Sequence, residues 1–365
     1  VTLHKYYSTN GNLTITSSNG SSLILGSEFR DQSESMIYTY SNTVTINGNV
    51  VLDGRNISHN GFFVWNNGTL NIKGSCVFKN HYFHNTSGTN PDANGGYGSA
   101  VHNDGTCNIS GGTFQGNYIE NRTAPGGGGG AVASSGRLTV TGGTMKNNAG
   151  MSGGAIWVYG GTAVISKADI YNNQSEYGAV NVSYDKYDDL PAADKKNHKV
   201  IAACTLSGSA SKPVKIHNDK KSAGVWVGSG GKLVVSTAHN YIYGNKDAGI
   251  RNDYTTQITG ASKIGFSAYT GIDDYTASEN EGGALVNSDQ CTVSAAARFF
   301  GGTKTAISNS GTMTVAAKSD AVALGTTAGT VVNNSGTFTA AGKDGSYSLS
   351  VFSSSSTYGV KNTGK

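Results

Sequence analysis

The sequence predicts an all-β fold, a right-handed single-stranded parallel β-helix of about 12 turns with three short strands per turn. Two repeated phrases lead to this prediction. The first has the form G-T-L-x-I, as in residues 68–72, and the second, G-A-I-x-N, precedes it in each period. The second phrase returns every 24 residues at Val132, Ile156 and Val180. Three short β segments per period cannot enclose a core alone, but stacked periods can, which is the principle of a solenoid.

Composition agrees with a repetitive β protein and excludes several classes. The 365 residues include 52 Gly and 4 Pro, and only 14% are charged. The net charge of +4 is not gathered into a basic stripe, so we expect no nucleic-acid partner. No apolar run approaches the ~18 residues that a membrane span needs, so we expect no membrane insertion in this segment. Helical periodicity is also absent.

The G-T-L-x-I strand is expected to place its L and I positions inward, because side chains alternate along a strand. The inward pairs include Leu70 with Ile72, Leu138 with Val140, and Leu233 with Val235. The next position faces out and carries a small hydroxyl in successive turns: Ser110, Thr141, Ser166, Ser207, Ser236, Thr259 and Ser294. We interpret this column as ordinary solvent-facing β surface. A flat face that docks ice or a polysaccharide remains the alternative.

The third strand has the form F-x-x-N, and its asparagine marks a corner of the coil. Asparagine tolerates left-handed backbone and can bond to its equivalents above and below. We therefore predict asparagine ladders at two corners. One ladder would hold Asn80, Asn117, Asn148, Asn173 and Asn245, and the other would hold Asn103, Asn252, Asn287 and Asn309.

Residues 1–42 precede the clear repeat. Short apolar stretches at 13–15, 23–26 and 36–40 are typical of strands, but neither phrase is present yet. Terminal repeats of a solenoid are usually atypical. We therefore predict an atypical first turn or cap over 1–42, continuous with one β-helix domain over 43–365.

The four cysteines are expected to be reduced and buried. Cys107, Cys204 and Cys291 fall at the same inward column, about three turns apart. At ~4.8 Å per turn they are too far apart to bridge. Cys76 lies further along its own turn, near the F-x-x-N strand. All four would then act as small apolar side chains.

No catalytic constellation is recognisable, so we predict that the chain is not an enzyme. Glycosidic cleavage needs two facing carboxylates. The paired carboxylates Asp188–Asp189 and Asp273–Asp274 fall in loops expected at different corners. His81 and His84 have ligand-like spacing but no third ligand. We expect no cofactor and no metal.

Insertions between the repeats are the candidate binding surface, because function on a regular scaffold usually lies in its loops. Most enter at one corner, in 81–97, 118–128 and 267–281, whereas 183–199 leaves from another side. Exposed tyrosine binds sugars and proteins at low entropic cost. Aromatic packing of the loops on one another is the structural alternative. The candidate binding residues are Tyr82, Phe83, His84, Tyr97, Tyr118, Arg122, Tyr269, Asp273, Asp274 and Tyr275.

The repeats resemble those of a known family. Gly-Gly-Ala-Ile at 153–156, Gly-Gly-Ala-Leu at 282–285 and Phe-x-x-Asn at 114–117 are similar to the GGAI and FxxN repeats of chlamydial polymorphic outer-membrane proteins. The resemblance covers roughly 43–340, although Met145 and Ile170 replace the phenylalanine. It implies a surface-exposed or secreted bacterial passenger, commonly an adhesin.

The functional expectation is thus a non-enzymatic, extracellular or cell-surface β-helix that binds a host or environmental glycan or surface protein through its corner loops. Two alternatives stay open. One is a carbohydrate-active β-helix of the lyase or hydrolase kind. The other is a structural subunit that associates end to end, because the ends of a β-helix are open sheet edges.

Overall fold

The computed structural model describes residues 1–3, 7–9, 11–30, 35–59, 61–84, 100–120, 128–271, 274–316, 319–325, 330–341, 348–353 and 358–365. Long sheets in which successive turns pair in parallel confirm the predicted parallel β-helix of about 12 turns. The chain divides into two compact units. The first comprises Val1–Val164 and Ala168–Asn181, and the second comprises Ile165–Lys167 and Val182–Lys365.

Each turn contributes to three strand positions, which we name by the repeated phrases. Sheet 1 holds the L-x-I strands, sheet 2 holds the F-x-x-N strands and sheet 3 holds the G-A-I strands. In the first unit the strands are β1 (Thr2–Leu3), β2 (Tyr7–Thr9), β3 (Leu13–Leu25), β4 (Ile37–Thr39), β5 (Thr43–Asp53), β6 (Ser58–His59), β7 (Val64–Asn66), β8 (Thr69–Ile72), β9 (Val77–Lys79), β10 (Tyr82–His84), β11 (Val101–Asn103), β12 (Thr106–Gln115), β13 (Tyr118–Glu120), β14 (Val132–Ser134), β15 (Arg137–Lys146), β16 (Gly153–Val158), β17 (Gly161–Ile165), β18 (Ala168–Tyr171) and β19 (Gly178–Val182). A short 3-10 helix, η1 (Ser27–Phe29), follows β3.

The second unit repeats the same order of strands. They are β20 (Ala202–Leu206), β21 (Val214–His217), β22 (Ala223–Val227), β23 (Gly231–Val235), β24 (Asn240–Tyr243), β25 (Ile250–Asn252), β26 (Thr255–Ile258), β27 (Lys263–Ile264), β28 (Phe266–Gly271), β29 (Asp274–Ala277), β30 (Leu285–Asn287), β31 (Gln290–Val293), β32 (Arg298–Gly302), β33 (Ile307–Asn309), β34 (Thr312–Val315), β35 (Ala321–Gly325), β36 (Thr330–Asn334), β37 (Thr337–Ala340), β38 (Leu349–Ser353) and β39 (Tyr358–Asn362).

Helix is confined to short pieces. The insertion before β20 carries the 3-10 helix η2 (Tyr187–Asp189) and the helix α1 (Ala192–Lys196), which the sequence did not predict. Pro191 is the N-cap residue of α1, outside the helix interior where proline would remove a hydrogen bond.

Four strands of the first unit run through sheets 1 and 2 without a break. These are β3, β5, β12 and β15, and the pairing of β12 with β15 shifts register at the bend. Gly112 and Gly143 lie at this bend with φ of 86° and 106°, values that residues with a side chain rarely adopt. Glycine therefore lets the chain turn from one sheet into the next while the strands stay paired.

The predicted alternation of sheet 1 is confirmed. Cys107 pairs with Leu70 on one side and Leu138 on the other, and all three side chains are buried. The hydroxyl column faces outward, and Ser236 donates to the carbonyl of Leu206 in the preceding turn over 3.0 Å. Thr256 departs from the apolar pattern, since it is buried in the inward column and donates to Asn252 Oδ1 over 2.8 Å.

An asparagine ladder follows sheet 2 in both units. In the first unit Asn117 Nδ2 donates to Asn148 Oδ1 over 2.9 Å, and Asn148 Nδ2 donates to Asn173 Oδ1 over 3.1 Å. Asn80 is not part of it: its φ is 58°, and the next residue, His81, holds the ladder position and donates its N–H to Asn117.

In the second unit the equivalent ladder contains Asp219, Asn245 and Asn280. The N–H of Asp219 donates to Asn245 Oδ1 over 3.0 Å, and Asn245 Nδ2 donates to Asn280 Oδ1 over 2.9 Å.

A second ladder lies at the end of sheet 3. In the first unit it joins Asn66 to Asn103 over 2.6 Å. In the second unit it runs without interruption through five turns, in the order Asn252, Asn287, Asn309, Asn334 and Asn362. The buried amides of this ladder are thus paired turn by turn, as buried polar groups usually are.

The segment before the clear repeat also forms turns of the coil. Strand β3 pairs with β5 in parallel, with Leu13 opposite Val44 and Ile15 opposite Ile46. Strand β4 pairs with β7 in the same way, with Tyr38 opposite Trp65.

The four cysteines are buried, and none is joined to another. Burial raises the pKa of the Cys107, Cys204 and Cys291 thiols to about 12. Their predicted role as reduced core side chains is confirmed.

Candidate functional site

The corner loops bring two of the predicted binding residues together in the first unit. Tyr82 in β10 pairs with Tyr118 in β13, and their rings stack with centroids 5.5 Å apart. Tyr118 is 43% exposed, and the Tyr82 hydroxyl donates to Glu120. His84 ends the same strand. These strands, with β6, form a small parallel sheet at the corner.

Phe83 does not lie on that surface. Its side chain is 1% exposed and stacks on Phe62 with ring centroids 5.9 Å apart, and Ile119 completes the cluster. Alternation along β10 explains the difference, because Tyr82 and Phe83 point to opposite faces of the strand.

The second group lies in the second unit on the antiparallel hairpin of β28 and β29. Tyr269 and Tyr275 stack with centroids 6.2 Å apart, and both pack on the buried ring of Phe266. Asp274 is exposed and accepts a bond from the Thr270 hydroxyl. The remaining predicted residues, Tyr97, Arg122 and Asp273, lie outside the described residues.

A second group of aromatic and polar side chains lies within the regular repeat, outside the corner loops. On the outward side of sheet 3 in the first unit, Tyr38, Trp65, His102, Ala133 and Trp157 occupy the same column in successive turns. Parallel in-register pairing places one such side chain above the next at the ~4.8 Å spacing of strands. Aromatic residues in four of these five turns make a row along the sheet.

Asp104 lies at the corner beside this row and receives four side-chain donors. Its carboxylate is 2.8 Å from His102 Nε2, 3.2 Å from Trp65 Nε1, 2.5 Å from Ser135 Oγ and 2.9 Å from the Tyr159 hydroxyl. We name these five residues the Asp104 cluster. The Asp104 side chain keeps 34% of its surface exposed, so solvent and ligands reach it.

Electrostatics keep Asp104 ionised. Burial raises the pKa of Asp104, but hydrogen bonds from His102, Ser135 and Tyr159, together with the charge of the His102 imidazole, outweigh burial and hold the pKa well below its usual range. The cluster therefore presents an ionised carboxylate in a defined orientation.

The aromatic row extends outward from the Asp104 cluster. Tyr38 lies 5.6 Å from Trp65, centroid to centroid, and stacks on Tyr40 at 6.4 Å. Tyr40 is 54% exposed, and Trp65 and Tyr38 are half-buried. The buried ring of Phe62 supports Trp65 edge-on at 5.9 Å. We name Tyr40, Tyr38, Trp65 and Asp104 the aromatic platform.

The hydrogen bonds of the cluster converge on Asp104. The Ser135 hydroxyl donates to Asp104 and not to His102, so the imidazole does not activate it as a base would activate a nucleophile. The partners of Asp104 are an imidazole, an indole and two hydroxyls.

Of the carboxylate pairs that the sequence singled out, the structure describes Asp188–Asp189 in full. Asp188 and Asp189 lie in η2 of the second unit and are exposed. Among the residues that the structure describes, no group of three His, Cys, Asp or Glu side chains is arranged to hold a metal ion. In the same part of the chain, no helix is long and apolar enough to cross a membrane.

Sequence reasoning missed the platform, although one signal was present. The variable position x of the phrase G-A-I-x-N is Trp65, Trp157 or Trp226 in three turns, and the chain has only 3 tryptophans. Trp157 is buried with Ala133 and Tyr159, whereas Trp65 and Trp226 are only half-buried, so the signal applies to those two tryptophans.

Comparison with known proteins found no matching family model, no matching curated protein and no matching solved structure.

Proposed function

We propose that this chain is a non-enzymatic glycan-binding β-helix of a bacterial surface or secreted protein, of the adhesin kind, and that the aromatic platform is its binding surface. The observation that carries the proposal is the row Tyr40–Tyr38–Trp65, which ends on the ionised carboxylate of Asp104. A sugar ring presents C–H groups on its faces and hydroxyls at its edge. Aromatic faces match the first chemistry, and the polar groups gathered around Asp104 match the second.

The arrangement favours a pre-formed site. The Trp65 indole is held by its bond to Asp104 and by the buried ring of Phe62, so little side-chain freedom remains to be lost on binding. The carboxylate of Asp104 already receives four donors, but the half-buried Ser135 hydroxyl that donates to it keeps its own lone pairs as acceptors. Orientation before binding is what distinguishes a specific sugar site from an exposed aromatic residue.

An extracellular location rests on the resemblance to bacterial surface repeats and on a composition rich in Gly, Ser, Thr and Asn. The stacked pair Tyr82–Tyr118 is a further exposed contact in the same unit. A protein ligand is the alternative, and it would favour an apolar surface over one that ends on a fixed charge.

A glycan array tests the proposal with three forms of the chain. Wild type should bind a subset of glycans, and Trp65→Ala should lose at least about tenfold in affinity, since one stacked ring and one orientation are removed. Tyr177→Ala is the matched control, because Tyr177 is 40% exposed in the same unit and outside the platform. Tyr118→Ala separately tests the corner pair.

Two results would overturn the proposal. One is wild-type binding that Trp65→Ala and Tyr177→Ala weaken equally, provided that both variants unfold cooperatively like wild type. The other is the absence of glycan binding in wild type, with saturable binding to a purified surface protein that Trp65→Ala abolishes. That second result would assign the platform to a protein ligand.

A further inference from the structure

The tryptophan–aspartate pair of the platform recurs in the second unit. Trp226 Nε1 donates to Asp253 Oδ2 over 2.6 Å. The register is the same in both cases. Trp226 pairs with Arg251 and bonds to the aspartate two residues further on, just as Trp65 pairs with His102 and bonds to Asp104. A geometry that appears once in each unit is built by the fold and does not depend on one loop.

Glycine fixes the orientation of the second indole. A Cβ on Gly228 would lie 2.3 Å from Cη2 and 2.5 Å from Cζ3 of Trp226, so the benzene half of the ring rests directly on the Gly228 backbone. Trp226 and Asp253 are both half-buried, which leaves part of each side chain open to solvent.

Arg251, the cationic residue opposite Trp226, is paired with Asp247. Arg251 donates from Nε and Nη2 to Asp247 Oδ2, over 2.9 Å and 2.6 Å. A guanidinium committed to a carboxylate offers little to a second anion. Both tryptophans therefore lie beside an aspartate, and at neither is an unpaired arginine in register to attract an acidic sugar.

We infer that Trp226 and Asp253 form a second platform for the same class of ligand, and that each unit of the chain binds a neutral glycan. The inference rests on the proposed function of the first platform. Neutrality follows from the carboxylate at each platform, because a uronate or sulfate would meet like charge there.

Isothermal titration with neutral oligosaccharides of about six sugars, derived from cellulose, xylan, mannan and chitin, counts the sites. Wild type should bind two molecules per chain. Trp226→Ala and Trp65→Ala should each bind one, and Phe352→Ala, which alters a side chain 48% exposed elsewhere in the second unit, should bind two. Asp253→Ser is the second variant. It keeps the indole, removes the carboxylate acceptor, and should also bind one sugar molecule per chain. It serves as the test if Trp226→Ala does not unfold cooperatively.

The affinity of each remaining platform tests whether the two sites are separate. In each tryptophan variant the remaining site should bind the short sugar with its wild-type affinity. Polygalacturonate, the acidic probe, should bind at least about tenfold more weakly than the neutral oligosaccharides.

The experiment separates failure of the second platform from failure of the proposed function. One site per chain in wild type, lost in Trp65→Ala and unaffected by Trp226→Ala and Asp253→Ser, would overturn the second platform and leave the proposed function intact. Preferred binding of polygalacturonate would overturn the neutral ligand. No binding of any sugar by wild type would overturn both.

Discussion

The indole of Trp65 donates a hydrogen bond to the carboxylate of Asp104 over 3.2 Å, although 39 residues separate them in the sequence. Parallel register alone brings them together, because Trp65 lies directly opposite His102 and Asp104 follows two residues later. The bond holds an aromatic side chain and a carboxylate together at one corner of the coil, so a single substitution at either residue alters both.

Asp104→Asn should lower the free energy of unfolding by about 1–3 kcal/mol at neutral pH, because an amide NH₂ would face donors that now meet a carboxylate. Since hydrogen bonding lowers the pKa of Asp104, its contribution is present above the unfolded value of about 3.9 and is lost as the pH falls below it. Urea titrations should thus show the largest difference near pH 7 and a smaller one near pH 3. An equal difference at both pH values would contradict the charge-based account. Asp188→Asn, at an exposed position, is the control.

Gly105→Ala should destabilise the first unit by about 1–3 kcal/mol, the usual cost of overpacking. A Cβ at Gly105 would lie 2.3 Å from the carbonyl oxygen of Gly68, the equivalent glycine of the preceding turn. Backbone must move to relieve that contact. Gly11→Ala is the matched control, because a Cβ there would have no atom within 4 Å. Thermal unfolding of the two variants should therefore separate them clearly, and equal midpoints would show that the corner relaxes.

The fold could be predicted because the core residues of a solenoid recur at the same position in every turn. Leu70, Cys107 and Leu138 recur at one position of the phrase, and the structure stacks them in one column. The asparagine ladder followed for the same reason, since Asn117, Asn148 and Asn173 recur with the repeat. Asn80 was assigned one residue too early, because an asparagine with positive φ precedes the ladder position, which a histidine fills.

The platform could not be predicted in the same way. Its parts come from three turns, and only the register of sheet 3 places Tyr38, Trp65 and Asp104 side by side. Irregular loops are the usual location of function on a regular scaffold. Phe83 shows where that argument fails, because the loop that carries it continues as a strand and alternation buries the side chain.

The cysteines should resist alkylation as long as the chain is folded. Burial raises the pKa of the Cys76 thiol to about 11 and that of the other three to about 12, so almost no thiolate exists at pH 8. Iodoacetamide followed by intact-mass measurement should find no adduct in buffer and four in denaturant, without added reductant. Fewer than four adducts after unfolding would reveal a bridge, and rapid labelling of the native chain would show that the interior opens.

Acidification should weaken the first unit through a buried histidine pair. His59 Nδ1 lies 3.2 Å from His81 Nε2, and both side chains are fully buried. Burial and the neighbouring charge of His59 lower the pKa of His81 well below its usual value. The stability that neutral His81 contributes is therefore complete above the unfolded pKa of about 6.5 and falls as the pH decreases from there.

His81→Asn tests this effect with the residue that the ladder itself uses in later turns. Its free energy of unfolding should change less between pH 7.5 and pH 5 than that of wild type, by up to about 1.4 kcal/mol per pH unit. His239→Asn, at a half-buried position outside the ladder, should keep the wild-type slope. A variant with the same pH dependence as wild type would show that the pair does not titrate on unfolding.

Asp219 should produce the opposite pH dependence in the second unit. It is 2% exposed at a ladder position, where burial raises its pKa to about 6 despite bonds from the N–H groups of Lys221 and Ser222. The protonated acid is the form that the fold accepts, so the favourable contribution is complete below the unfolded pKa and is lost as the pH rises through about 6. A pKa about two units higher in the folded than in the unfolded chain changes the free energy of unfolding by about 3 kcal/mol.

Asp219→Asn should therefore stabilise the second unit at pH 7.5 by about 1–3 kcal/mol and remove the pH dependence between about 4 and 6. The amide oxygen can keep the three bonds that Asp219 Oδ1 accepts, and Oδ2, which the NH₂ would replace, has no hydrogen-bond partner among the described residues. Asn245 shows the alternative rotamer, in which Nδ2 donates to the next amide of the ladder. Chemical unfolding of wild type and variant at pH 4.5 and pH 7.5 measures both effects. A variant less stable than wild type at pH 7.5 would mean that the carboxylate is ionised in the fold and satisfied there.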